Sequence, residues 1–92
     1  MIQRFRHKGL ERLFVHGDPS GVNVQFVGKL RRMLTLLENA QNASVLNLPG
    51  YRLHQLKGGR KGQWAVTVTG NWRLVFEFDG AHATNVDLAD YH

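Results

Sequence analysis

The chain has 92 residues, a net charge of +5 and no cysteine, which bounds it to one domain with a modest core and excludes both a disulfide staple and a thiolate metal site. No apolar run approaches the ~18–20 residues of a membrane span. The basic start, Met1 to Lys8, has no apolar stretch of signal-peptide length behind it, so the expectation is a soluble, cytoplasmic protein with no membrane partner.

In chain order, Ile2 to Phe5 reads as a brief strand at a sheet edge. Leu10, Leu13 and Phe14 then follow helical spacing, with Gly17 placed to end the helix and Asp18-Pro19-Ser20-Gly21 as turn chemistry. Asn23 is a candidate N-cap for a second helix, whose apolar stripe is Phe26, Val27, Leu30, Met33, Leu34 and Leu37 and whose polar face carries Lys29, Arg31 and Arg32. A short helical turn is expected over Ala43 to Leu48, closed by Pro49-Gly50. Strand signals dominate afterwards: a short strand over Tyr51 to Leu56, a mobile basic loop Gly58-Gly59-Arg60-Lys61-Gly62, and alternation through Trp64, Val66 and Val68. A Gly70-Asn71 hairpin comes next, then alternation through Trp72, Leu74, Phe76 and Phe78, a turn at Asp79-Gly80, and a last strand over His82 to Ala89. Helices followed by an antiparallel meander predict an α+β fold: two N-terminal helices packed on one face of a small twisted, mainly antiparallel sheet, spanning residues 1–92 as one domain.

Alternation places Trp64, Val66, Val68, Trp72, Leu74, Phe76 and Phe78 toward the helices, which makes the two tryptophans packing residues. Arg73 then points to the opposite face, among Thr67, Thr69 and Val75, where a basic sheet face beside basic loops makes a phosphate seat. Asp90 and His92 share the phase of Val86 and Leu88, and Tyr91 that of Asp87. The three can converge only if pairing stops near Ala89 and the terminus bends toward Arg73.

The charge is divided along the chain. All twelve Lys and Arg lie at or before Arg73 against three acids, and from Leu74 onward there are four acids and no Lys or Arg. A basic body of this size suits a polyanionic partner. The candidate residues for proton transfer and phosphate binding are His54, Lys57, Arg73, Asp90, Tyr91 and His92. Histidine exchanges protons near neutral pH, Lys and Arg stabilise a dianionic phosphorane, and tyrosine stacks on a base. Together they suit cleavage of RNA by its own 2′-hydroxyl, which needs no metal or organic cofactor. The five histidines show no paired ligand spacing, and the glycine-rich loop lacks the nucleotide-binding spacing.

Five blocks, Lys8-Gly9-Leu10, Tyr51 to Gly58, Gly62-Gln63-Trp64, Asn71-Trp72-Arg73-Leu74 and Asp90-Tyr91-His92, together make the chain resemble the HigB toxins of type II toxin–antitoxin systems, in the RelE-like superfamily of small microbial RNases. The family pattern has a further basic residue beside the Gly70-Asn71 turn, where this chain has Thr69. The resemblance implies a ribosome-dependent mRNA endonuclease that cuts in the A site of the 70S ribosome without a cofactor. It also implies a HigA-like helix-turn-helix antitoxin, with operator DNA bound only through the toxin–antitoxin complex. By position in the motifs it implies His92 or His54 as base or acid, Asp90 orienting a histidine, Lys57 and Arg73 on the scissile phosphate, and Tyr91 positioning the nucleotide. Arg31, Arg32, Arg60 and Lys61 would then contact ribosomal RNA. The residues alone leave two other readings open, a non-catalytic RNA- or ribosome-binding module and a DNA-binding partner, the latter disfavoured because neither helical run reads as a helix-turn-helix.

Overall fold

A computed structural model describes residues 1–60 and 62–90; Lys61, Tyr91, His92 and the side chain of Arg60 lie outside that description. Helix α1, Lys8–His16, is started by His7, whose Nδ1 accepts from the Leu10 N–H at 3.1 Å. It stops at Gly17, whose N–H donates to the Leu13 carbonyl and whose left-handed φ of 68° turns the chain so that the Asp18 N–H reaches the Arg12 carbonyl at 3.0 Å. Asp18 caps the turn beyond by accepting from the Ser20 N–H, and that bond holds its carboxyl below the usual range. A Cβ on Gly9 would overlap the Gly21 carbonyl oxygen, so α1 and this turn approach as closely as they do only because both residues are glycine.

Asn23 caps, as its type and position suggest, but it caps a 3-10 turn, Val24–Phe26, that runs on into helix α2, Val27–Asn39. The predicted stripe is buried: Leu30, Met33, Leu34 and Leu37 are wholly inaccessible. A further 3-10 turn, Ala43–Leu46, adds Ala43 and Leu46 to the same core. Among the described residues no helix is long and apolar enough to cross a membrane.

The sheet has four antiparallel strands in chain order: β1, His54–Gln55, β2, Trp64–Thr69, β3, Trp72–Asp79, and β4, His82–Asp90. The chain start runs along the free edge of β4, through parallel bridges from Ile2 to Ala83 and Phe5 to Val86. The strand expected over Tyr51 to Leu56 shrinks to two residues. Arg52 takes a φ of 53°, which an extended strand does not allow, so the ladder with β2 begins only at His54. Tyr51 still accepts from the Thr67 N–H at 2.7 Å, outside the regular register.

The helices cover one face. Val66, Val68, Leu74, Phe76, Ala83 and Val86 meet Leu10, Leu30, Met33 and Leu34 there, with Trp64, Trp72 and Phe78 at the margin. Trp72 packs on Phe26 with ring centroids 5.7 Å apart, the packing role the alternation assigned to it.

Two bulges break the alternation. In β4, Asn85 and Val86 together oppose Phe76, and Asn85 takes a φ of 52°; Ala83 and Val86, three apart, therefore both face the core. In β2, Val68 and Thr69 together oppose Trp72. Thr69, expected beside Arg73, instead borders a groove of about 320 Å³ with Gln25, Phe26 and Lys29.

Candidate active site

The face of the sheet away from the helices is read from the registers. One row runs His54, Ala65, Val75, Asp87 across the four strands; the next runs Thr67, Arg73, Ala89. Ala65 and Val75, at the centre, are buried although they lie outside the helix-side core. They form a small apolar floor with charged residues around it. Strand spacing and rise put the Cα atoms of His54 and Arg73 about 12 Å apart on this face.

Each expected site residue within the described chain has a definite place. His54 is exposed, and its Nδ1 lies 3.0 Å from the Arg52 carbonyl. A carbonyl only accepts, so Nδ1 carries the hydrogen of that bond, and in a neutral ring the lone pair is then on Nε2. The αL turn at Arg52, which shortened β1, is thus also what fixes this tautomer. Lys57 is exposed at the neck of the basic loop, which is clipped shut behind it by the Leu56 N–H on the Gln63 carbonyl at 2.8 Å. The loop opens on a 3-10 turn, Gly58–Arg60.

Arg73 is half-buried on β3, and its Nη1 donates to the carbonyls of Gly70 at 2.8 Å and Trp72 at 3.3 Å. Asp90 pairs with Trp72, so regular pairing runs one residue past Ala89 and Asp90 keeps the phase of Leu88. The expected turn of Tyr91 and His92 toward Arg73 lies outside the described residues, as do Lys61 and the side chain of Arg60.

Arg31 and Arg32 lie elsewhere. They are exposed on α2, on the helix side of the sheet, and with Thr35, Leu36 and Tyr51 they line a groove of about 440 Å³. Arg73 therefore lies on the sheet face, whereas Arg31 and Arg32 belong to the helical layer. Among the described residues no three of His, Asp and Glu stand close enough together to hold a metal ion.

Sequence reasoning passed over two features of this face. Asp87 lies in the row of His54, where its Oδ1 accepts from the Leu88 N–H; phase alone would have found it. Glu77 accepts from the side-chain amides of Gln63 and Asn85 at 3.2 and 3.4 Å, tying the residue before β2, β3 and the β4 bulge together at the far end of the face from Arg73. That cluster depends on the bulge and has no signature in the alternation.

Residues 3–92 match the family described as the RelE-like toxin HigB of type II toxin–antitoxin systems. The chain is 42% identical over all 92 residues, and over the full length of the relative, to a Proteus vulgaris protein named endoribonuclease HigB. Among solved structures it shares its fold with YafQ from E. coli (TM-score 0.63, 20% identity, covering 98% of this chain and 91% of that one). It shares it likewise with a chain of the YoeB–YefM complex from Staphylococcus aureus (TM-score 0.64, 17% identity, covering 100% and 98%). The chain belongs to the HigB-like toxins of type II toxin–antitoxin systems, within the RelE-like group.

Proposed function

We propose that this chain is a metal-independent endoribonuclease that cuts mRNA in the ribosomal A site and so arrests translation, and that a HigA-like antitoxin neutralises it. The observation that carries the reading is the sheet face away from the helices, which bears both His54 and Arg73, with Lys57 exposed in the loop that follows β1. The full-length relative named endoribonuclease HigB supports the same activity, and the family itself supports an antitoxin partner.

The chemistry is in-line transesterification. A base, His92 or His54, takes the proton from the 2′-hydroxyl; the 2′ oxygen bonds to phosphorus as the bond to the 5′ oxygen breaks; an acid returns a proton to that leaving oxygen. The products are a 2′,3′-cyclic phosphate and a 5′-hydroxyl. Lys57 and Arg73 hold the phosphate as its charge grows, Asp90 orients a histidine, and Tyr91 positions the nucleotide. Arg31, Arg32, Arg60 and Lys61 bind ribosomal RNA, which leaves the sheet face for the codon.

The test is cleavage of mRNA on programmed ribosomes, with the cut mapped to a nucleotide. Wild type gives new ends only in the A-site codon and only when ribosomes are present, and His92→Gln loses cleavage by about a hundredfold or more while remaining folded. Intact mRNA with wild-type protein, accompanied by undiminished ribosome binding, would instead favour the non-catalytic module.

A further inference from the structure

The Thr67 hydroxyl is the one polar side-chain group, among the described residues, that is buried with no hydrogen-bond partner. The backbone beneath it is held firmly, since the Thr67 N–H donates to the Tyr51 carbonyl at 2.7 Å. A buried hydroxyl without a partner is costly and uncommon in native proteins. Valine has almost the same shape without that cost, and it suits a strand at least as well. The threonine at this position therefore calls for a reason beyond packing.

The residue directly across the ladder from Thr67 is Arg73, on the same face. Directly opposed residues have Cβ atoms about 5 Å apart, well inside the reach of an arginine. The guanidinium now lies along the hairpin turn, with Nη1 engaged on the Gly70 and Trp72 carbonyls. Arginine has five N–H donors in a rigid fork and no acceptor, and a hydroxyl oxygen accepts. The two groups are complementary, adjacent and unjoined.

We infer that Thr67 is a positioning residue for Arg73: when a phosphate is drawn over the apolar floor, the guanidinium leaves the turn carbonyls and lies across Thr67, whose Oγ1 accepts one N–H and sets the plane of the fork. The remaining donors then meet the phosphate side-on. The hydroxyl's unmet bond is made only in that arrangement, so it favours the reacting complex over the resting enzyme. The inference rests on the endoribonuclease reading and names a further residue for that site.

The experiment compares wild type, Thr67→Val, Thr67→Ser, Arg73→Lys and the Thr67→Val/Arg73→Lys double variant by cleavage on programmed ribosomes and by thermal unfolding. Thr67→Val is expected to unfold at or above the wild-type temperature, yet to lose about tenfold in kcat with KM nearly unchanged. Thr67→Ser keeps the hydroxyl and most of the rate. In the Arg73→Lys background, which lacks the planar fork, the valine substitution costs little more. The inference is overturned if Thr67→Val cleaves like wild type, if serine fails to rescue, or if the losses from Thr67→Val and Arg73→Lys simply add. Wild-type protein that leaves mRNA intact sinks the endoribonuclease reading itself and this inference with it, whereas an active wild type beside an equally active Thr67→Val sinks this inference alone.

Discussion

Replacing Arg73 by alanine is expected to slow single-turnover cleavage by about 10²–10³-fold, the usual cost of removing one stabiliser of transition-state charge. The fold should survive. Arg73 is half-buried at the ladder's edge, and its visible bonds are to carbonyls of the hairpin turn, which water can satisfy in its place. The loss in stability is about 1 kcal/mol or less. Arg73→Lys retains the charge but not the fork, and its rate should fall between the two. Wild-type cleavage by a folded Arg73→Ala protein would remove the phosphate seat from the sheet face. A large drop in unfolding temperature would instead assign the arginine to structure.

The largest effect on stability is expected at Phe76. It stands in the middle of β3, is wholly inaccessible, and meets Phe78 edge-on with centroids 6.0 Å apart. It is also the residue opposed by both members of the β4 bulge. Phe76→Ala should cost about 3–5 kcal/mol, a large part of the roughly 5–15 kcal/mol that holds a small domain together. Urea unfolding checks this: the midpoint falls sharply while the slope is unchanged. Val24→Ala, at a residue 82% exposed, is the control and should shift the midpoint little. A mild Phe76→Ala phenotype would mean that the sheet is not anchored through β3.

The helices and the meander were legible in the sequence because apolar spacing sets both, and the burial of Leu30, Met33, Leu34 and Leu37 on α2 and of Leu74 and Phe76 on β3 obeys that spacing. What alternation could not supply lies where the backbone leaves its regular conformation. Arg52 and Asn85 adopt positive φ, and each changes the strand beside it: the first shortens β1 and orients His54, the second rephases β4. Asn85 carried a signal, since asparagine tolerates that conformation better than most residues; Arg52 carried none. Thr69 was assigned to the wrong side because a two-for-one bulge beside a hairpin is invisible to a period-two pattern. Of the candidate site, Arg73 and its opposed Thr67 were readable from phase. The orphaned hydroxyl was not, because hydrogen-bond satisfaction is a property of packed side chains rather than of residue order.

In the proposed reaction the RNA's own 2′-hydroxyl is the nucleophile. This is tested by programming ribosomes with mRNA in which the nucleotide on the 5′ side of the mapped cut carries a single 2′-deoxy substitution. The predicted result is loss of cleavage at that bond, while the all-ribose message yields a 2′,3′-cyclic phosphate and a 5′-hydroxyl. Continued cutting at the substituted bond, leaving a 3′-hydroxyl and a 5′-phosphate, would contradict the proposed mechanism.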